Sequence, residues 1–167
     1  MEEKANLSDY MIAKFYKNVV IRFENEIKNP YVDDKNNLHK HRHEPISLIS
    51  GDQTNEIIQR FGIKIVAKVK GQIEEDIKEN TIHQVIKLPE GKDKNNEKRY
   101  TYYSLITHLR NSFAHANIKK QDNYYVFKDY NDKGEITMIA KIKNNKFFRY
   151  IDAIYEESKK HKEINND

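Results

Sequence analysis

An arginine, an asparagine and a histidine stand close together in the C-terminal half of the chain, at Arg110, Asn111 and His115. Arginine is permanently charged, and its planar guanidinium fits the oxygens of a phosphate. Histidine can take or give a proton near neutral pH, and an asparagine amide can orient a hydroxyl, a water or an imidazole. One fixed positive charge and one proton carrier suffice for metal-free RNA cleavage, because the 2′-hydroxyl of the RNA itself attacks the phosphate. Arg110 and His115 are therefore candidate catalytic residues, and Asn111 is a candidate support.

A structural role is the alternative for these side chains. They fall at the end of a helical pattern, where basic residues interact favourably with the carbonyl end of the helix dipole. Residues five apart lie about 140° apart around a helix axis, so Arg110 and His115 do not share a face of a straight helix. For a catalytic site, the sequence predicts that the helix end unwinds or that a second copy completes the site in a symmetric dimer.

The surrounding sequence predicts a mainly α-helical protein. Apolar residues recur every three or four positions in four segments, as in helices with one buried face. These helices are predicted after the cap residue Ser8 as far as Asn29-Pro30, from a cap at Asp52 or Thr54 to about Lys78, from about Tyr100 through the motif, and after a cap at Asn144 or Asn145. For residues 63–70 a strand is the alternative. Helix is favoured there because the four-residue spacing continues through residues 72–78.

Two strands interrupt this helical pattern. Tyr124–Tyr130 and Glu135–Ile142 are rich in β-branched and aromatic residues, and a turn sequence ending in Gly134 separates them. They predict a β-hairpin, about 124–142, inserted before the last helix of a helical bundle. Asn117 suits the left-handed residue that follows a helix end. Residues 31–51 and 81–99 predict irregular chain, with a short helical turn near 46–50.

Length and composition favour one small domain. The chain has 167 residues, a net charge of +4 and no cysteine, which excludes disulfides and thiolate chemistry. We expect a single domain over residues 1–158 and a charged, disordered tail over 159–167. No secretion signal or membrane-spanning run is present, so we expect a cytoplasmic protein without a membrane partner.

The motif Arg110-Asn111-Ser112-Phe113-Ala114-His115 resembles the R-x4–6-H signature of the HEPN superfamily (higher eukaryotes and prokaryotes nucleotide-binding), in which a polar residue usually follows the arginine. The order of motif helix, two strands and final helix resembles bacterial plasmid- and defence-associated members. This resemblance implies a HEPN-like bundle that acts as a homodimeric, metal-independent endoribonuclease without a cofactor. It implies RNA as the substrate, contact between subunits through the motif helix, and an antitoxin or defence protein as a partner.

Two alternatives follow from the same resemblance. Some members have lost catalysis and serve as dimerisation modules or bind nucleotides or proteins. Members paired with a nucleotidyltransferase antitoxin commonly carry a tyrosine two residues after the histidine, where this chain has Asn117. That difference argues against this particular antitoxin.

Weaker candidates lie outside the motif. His39, His41 and His43 alternate, and in an extended segment they would point the same way, as ligands of Zn²⁺ or Ni²⁺ could. A solvated basic loop is the favoured interpretation, and no metal site is predicted. In such a loop Lys40 and Arg42 could contact RNA phosphates. His108, one helical turn before the motif, is a further candidate for RNA binding.

Overall fold

The computed structural model of the chain describes residues 7–26, 31–32, 38–39, 51–68, 77–85 and 105–164. Helix α1 is continuous and consists of the α-helical Asp9–Phe15, the π-helical Tyr16–Ile21 and the α-helical Arg22–Glu26. The other helices are α2 (Gly51–Phe61), α3 (residues 105–114) and α4 (Asn144–Ile164). The strands are β1 (Tyr31–Val32), β2 (Leu38–His39), β3 (Lys64–Lys68), β4 (Thr81–Val85), β5 (Ile118–Gln121), β6 (Tyr124–Tyr130) and β7 (Ile136–Lys143).

A five-stranded mixed sheet forms the centre of the fold, with strand order β3-β4-β7-β6-β5. Strands β3 and β4 are parallel, whereas β4, β7, β6 and β5 pair antiparallel. The short strands β1 and β2 form a separate antiparallel pair. The motif helix α3 leads directly into the edge strand β5, so the sheet fixes the end of α3.

The prediction of a mainly α-helical bundle with a single hairpin is wrong, because β3, β4 and β5 extend the predicted hairpin into a full sheet. Residues 64–68 form a strand, so the rejected alternative was the correct one. Isoleucine and valine spaced four apart fit a helix face, but the same β-branched residues also favour a pleated sheet. Here pairing of β3 with β4 decides the outcome, and no local pattern reports that pairing.

The end of α2 shows why the predicted second helix stops early. Gly62 adopts a left-handed conformation with φ +62°. Its amide donates to the Gln59 carbonyl at 3.0 Å, and the Ile63 amide donates to the Ile58 carbonyl at 3.1 Å. These two bonds form a Schellman motif, which terminates the helix and turns the chain into β3.

Other local predictions are confirmed. Ser8 Oγ accepts a hydrogen bond from the Met11 amide at 3.4 Å and caps α1. The predicted hairpin corresponds to β6 and β7. The last helix begins at Asn144, so the two asparagines predicted as its cap lie within its first turn. This helix continues to Ile164, beyond the boundary predicted at residue 158. The predicted helical turn at 46–50, the start of the motif helix near Tyr100 and residues 69–76 of the predicted second helix lie outside the described residues.

In the described part of the chain, the core lies between helices α1 to α4 and one face of the five-stranded sheet. Phe15 of α1 is fully buried, and its ring stacks on Phe113 of α3 with the centroids 5.4 Å apart. Tyr125 of β6 meets the Phe15 ring edge-on at 4.9 Å, and Phe147 of α4 lies at 5.3 Å. Phe15 of α1 therefore packs against the motif helix α3, the sheet and α4. This packing fixes the orientation of α3 and thus the positions of its polar motif residues. None of the described helices combines the length and apolar character needed to cross a membrane.

Candidate active site

The motif helix ends in a second Schellman motif. Its final helical hydrogen bond runs from the His115 amide to the Asn111 carbonyl at 2.9 Å. The Ala116 amide then donates to the Phe113 carbonyl at 3.0 Å, and the Asn117 amide donates to the Ser112 carbonyl at 2.7 Å. Ala116, with φ 57°, is the left-handed residue, so the prediction of Asn117 for that role is wrong by one position. His115 is therefore the C-cap residue of α3.

Arg110 connects α3 to α1. Its Nη2 donates to Glu24 Oε1 at 2.5 Å, and its Nη1 donates to Asn111 Oδ1 at 3.1 Å. The guanidinium carbon lies 6.0 Å from the ring centroid of Phe23. The Arg110 Nε is buried and has no hydrogen-bond partner among the described residues. An unmet buried donor costs about 1–3 kcal/mol, which is unusual for an arginine that serves folding alone.

Asn111 and His108 connect α3 to β6 through Asp129. His108 Nδ1 and Asp129 Oδ2 are 2.6 Å apart, and Asn111 Nδ2 donates to the same oxygen at 3.4 Å. Asp129 Oδ1 accepts from the Tyr130 amide at 3.0 Å. Only 5 % of the Asp129 side chain is exposed, so these donors replace the water that a carboxylate otherwise requires.

Together these contacts form one polar network across three elements. It runs from Glu24 on α1 through Arg110 and Asn111 on α3 to Asp129 on β6, which also holds His108. Asn111 is central, because its amide oxygen accepts from the guanidinium and its amide nitrogen donates to the carboxylate. Both contacts fix the orientation of that amide. The network positions Arg110 from two sides.

His115 lies apart from this network. Its side chain is exposed and has no hydrogen-bond or ion-pair partner within the described part of the chain. The helical hydrogen bond to Asn111 shows that the end of α3 does not unwind before His115. Arg110 is directed towards α1, and within the described residues of one chain it has no contact with His115. The first of the two predicted solutions, convergence by unwinding, is therefore absent.

Two acidic residues of the network were missed by the sequence analysis. Asp129 lies in strand β6 in phase with the buried Tyr125 and Phe127, and a carboxylate at a core-facing strand position was a detectable signal. Glu24 continues the row that includes Tyr16 and Val20 at four-residue spacing, in which an acidic residue is out of place.

The loop candidates lie outside the described part of the chain. Lys40, Arg42, His41 and His43 belong to it, and of His39 only the backbone, in β2, is described. Among the described residues, no group of three or more His, Cys, Asp or Glu side chains could hold a metal ion.

A comparison with protein-family models identifies the family. The model described as HEPN pEK499 p136 matches residues 9–165, which is nearly the whole chain and includes the motif, the network and the sheet. No curated protein and no solved structure matches the chain. HEPN domains commonly dimerise and bind RNA, and a nuclease or nucleotide-binding role is consistent with this match.

Proposed function

This chain belongs to the HEPN family described as pEK499 p136, and we propose that it is a metal-independent endoribonuclease of a bacterial toxin or antiviral defence system. The observation that carries the proposal is that the Arg110 guanidinium is held in position by two side chains. Its guanidinium is held on both Nη atoms by Glu24 and Asn111, and an exposed histidine ends the same helix. A positioned cation and a free imidazole are the minimum that RNA transesterification requires.

The proposed reaction needs no protein nucleophile. The 2′-oxygen of the RNA attacks the adjacent phosphorus as its proton is removed, and the bond from phosphorus to the 5′-oxygen breaks. The products are a 2′,3′-cyclic phosphate and a 5′-hydroxyl. Arg110 stabilises the additional charge on the phosphoryl oxygens in the transition state, and His115 exchanges a proton with the reacting RNA. Asn111 supports Arg110 through its amide oxygen.

The direction of the two side chains favours a homodimer built through α3. Arg110 and His115 are about 140° apart around the helix, and the end of α3 stays helical as far as His115. A second motif helix facing the first across a two-fold axis would place the partner's exposed imidazole opposite the Arg110 network. RNA would then bind between the two copies, and Lys40 and Arg42 of the loop remain predicted phosphate contacts.

A non-catalytic module is the second candidate function. The observation that favours it is the ion pair itself, because a carboxylate already occupies the Arg110 Nη2 that would otherwise face a phosphate. In that case Arg110 joins α1 to α3, and the chain dimerises or binds a nucleotide or a protein.

Cleavage of structured RNA by the purified protein in excess EDTA distinguishes the two functions. We expect 2′,3′-cyclic phosphate ends, which disappear in Arg110→Ala and in His115→Ala. Arg60→Ala is the matched control, because Arg60 is exposed in the last turn of α2 and is not part of the network. Cleavage that survives both motif substitutions would disprove the assigned site. Absence of cleavage by the unaltered protein would favour the binding module.

A further inference from the structure

His108 has a contact that the proposed reaction does not yet use. Its Nδ1 lies 2.6 Å from a carboxylate oxygen of Asp129, and 19 % of the His108 side chain remains exposed. A carboxylate can only accept a hydrogen bond, so Nδ1 carries the hydrogen. In the neutral ring the lone pair then lies on Nε2, which has no partner among the described residues. An ionised Asp129 thereby selects the tautomer in which Nε2 is the nitrogen that can accept a proton.

Asp129 is itself held in place. Besides His108, it accepts hydrogen bonds from Asn111 Nδ2 at 3.4 Å and from the Tyr130 amide at 3.0 Å. A buried carboxylate with three fixed contacts can orient a ring more rigidly than an exposed one. The same Oδ2 holds both His108 and Asn111, so the ring of His108 is tied to the amide that supports Arg110.

His108 and His115 also lie on one stripe of α3. Residues seven apart are only about 20° apart around a helix and about 10.5 Å apart along it. Asn111 lies between them on this stripe, and its carbonyl accepts the His115 amide at 2.9 Å, so the helical arrangement continues to His115. Side chains on a helix lean towards its N-terminus, so both imidazoles extend from the same face of α3 in the same direction. A phosphodiester lying along this stripe would meet an imidazole at each end, and in the proposed dimer Arg110 of the second copy would face it.

We infer that His108, oriented by Asp129, is the general base of the ribonuclease reaction and that His115 is the general acid. This inference rests on the proposed function. His108 Nε2 takes the proton of the 2′-hydroxyl while the 2′-oxygen forms its bond to phosphorus. His115, protonated, gives its proton to the 5′-oxygen as that oxygen leaves with the electron pair of the broken bond. One proton is taken and one is given, so the cyclic phosphate and the 5′-hydroxyl form without another reactant. Asp129 is a positioning residue, because it acts through His108.

The sharpest variant is His108→Asn. The asparagine amide nitrogen can replace Nδ1 as the donor to Asp129, but the variant has no counterpart of Nε2. We expect kcat to fall by about 10²–10⁴-fold with little change in KM, which is the usual range for loss of an acid or base. His83→Asn is the matched control. Its side chain lies on the opposite face of the sheet from the core-facing Ile82 of β4, so we expect cleavage to be unchanged.

A change of leaving group separates the two histidines. After the cleavage position in an oligoribonucleotide is mapped, the bridging 5′-oxygen there is replaced by sulfur, which leaves without a proton. We expect this substrate to restore cleavage by His115→Ala and not by His108→Asn. If Asp129 acts through His108, the Asp129→Asn variant should likewise stay slow on the sulfur substrate.

The outcomes separate the two proposals. If the unaltered protein leaves no cyclic phosphate ends in EDTA, the proposed function fails, and this inference fails with it. If the unaltered protein cleaves, normal activity of His108→Asn overturns the inference alone. So does recovery of His108→Asn or of Asp129→Asn on the sulfur substrate.

Discussion

Arg110 Nη2 and Glu24 Oε1 are 2.5 Å apart, and they join the motif helix α3 to the first helix α1 across 86 residues of chain. Glu24 lies three positions after the end of the π-helical segment Tyr16–Ile21. In that segment Val19 stays in line with the buried Phe15 and Phe23 at four-residue spacing, which a wider helical turn allows. The same geometry of α1 therefore buries its apolar row and presents a carboxylate to Arg110.

The first prediction concerns this ion pair. We expect Glu24→Ala to lower the rate of RNA cleavage by about tenfold, because Arg110 loses one of its two anchors and is less well oriented. The free energy of unfolding should fall by no more than about 1 kcal/mol, since the Glu24 side chain is 38 % exposed and water screens the pair. Single-turnover cleavage and urea unfolding measure the two effects.

A second ion pair supplies the control for Glu24. Arg22 of α1 and Asp152 of α4 are 2.6 Å apart, and Asp152 is also partly exposed. Asp152→Ala should cause a similar small loss of stability and leave cleavage unchanged. Faster cleavage by Glu24→Ala would show that Glu24 restrains Arg110 rather than positions it.

The second prediction concerns the left-handed residue at the end of the motif helix. Ala116 has φ 57°, a conformation that strains a residue with a Cβ and suits glycine. We expect Ala116→Gly to raise the free energy of unfolding by about 0.5–1 kcal/mol, after subtraction of the greater chain entropy of glycine. Chemical denaturation followed by circular dichroism measures this change.

The matched variant for Ala116 lies two residues earlier. Ala114 is exposed and has the helical conformation of α3. Ala114→Gly should therefore lower the free energy of unfolding by about 0.5–1 kcal/mol, the opposite sign from Ala116→Gly. Destabilisation by both substitutions would contradict the assignment of Ala116 as the left-handed residue.

The two helix ends show what the sequence could reveal. Gly62 and Ala116 close α2 and α3 with the same pair of hydrogen bonds. Gly62 is the residue type expected at such an end, and the helix predicted from Asp52 to about Lys78 wrongly continued past it. Ala116 gave no such signal, because its conformation is imposed by the direct connection of α3 to β5. The residue type therefore indicated the end of α2, whereas no residue type indicated the end of α3.

The site divides in the same way. The motif residues Arg110, Asn111 and His115 could be identified from type and spacing, because the chemistry of a side chain is a local property. Their partners Glu24 and Asp129 lie 86 and 18 positions away from the motif residues that they bind. Such pairs depend on how α1 and β6 pack against α3. The pairing of β3 with β4 was likewise a tertiary property, and it decided the fold class.

The third prediction concerns Asn80, which joins three strands. It is buried, with φ 50°, its carbonyl accepts the Lys64 amide at 2.8 Å, and its Oδ1 accepts the Lys143 amide at 2.7 Å. Asn80→Ala leaves the Lys143 amide without its acceptor and places a strained residue in a left-handed conformation. We expect a loss of about 2–3 kcal/mol in the free energy of unfolding.

Asp122 separates the two causes of the Asn80 effect. It is exposed in the turn between β5 and β6 and has a similar φ of 51°. Asp122→Ala therefore carries the backbone strain without the loss of a buried acceptor, and we expect it to cost about 1 kcal/mol or less. Equal losses at the two positions would show that the Asn80 side-chain bond contributes nothing.

The last prediction concerns pH and the group formed by Glu79, Tyr124 and Lys143. Glu79 Oε1 and Lys143 Nζ are 2.8 Å apart. Hydrogen bonds from Lys143 and then Tyr124 lower the pKa of Glu79 below 4.5, and the hydrogen bond to Glu79 raises the pKa of Lys143 above 10.5. A lowered carboxyl pKa stabilises the fold above pH 4.5, and this contribution is lost as the pH falls through the lowered value. A raised lysine pKa stabilises the fold below pH 10.5, and this contribution is lost as the pH rises through the raised value.

The difference in Tm between the unaltered protein and Glu79→Gln should therefore be small but constant between these limits and shrink beyond either one. Glu56→Gln, on the exposed surface of α2, gives the baseline, and a difference that grows in acid would contradict the assigned contacts.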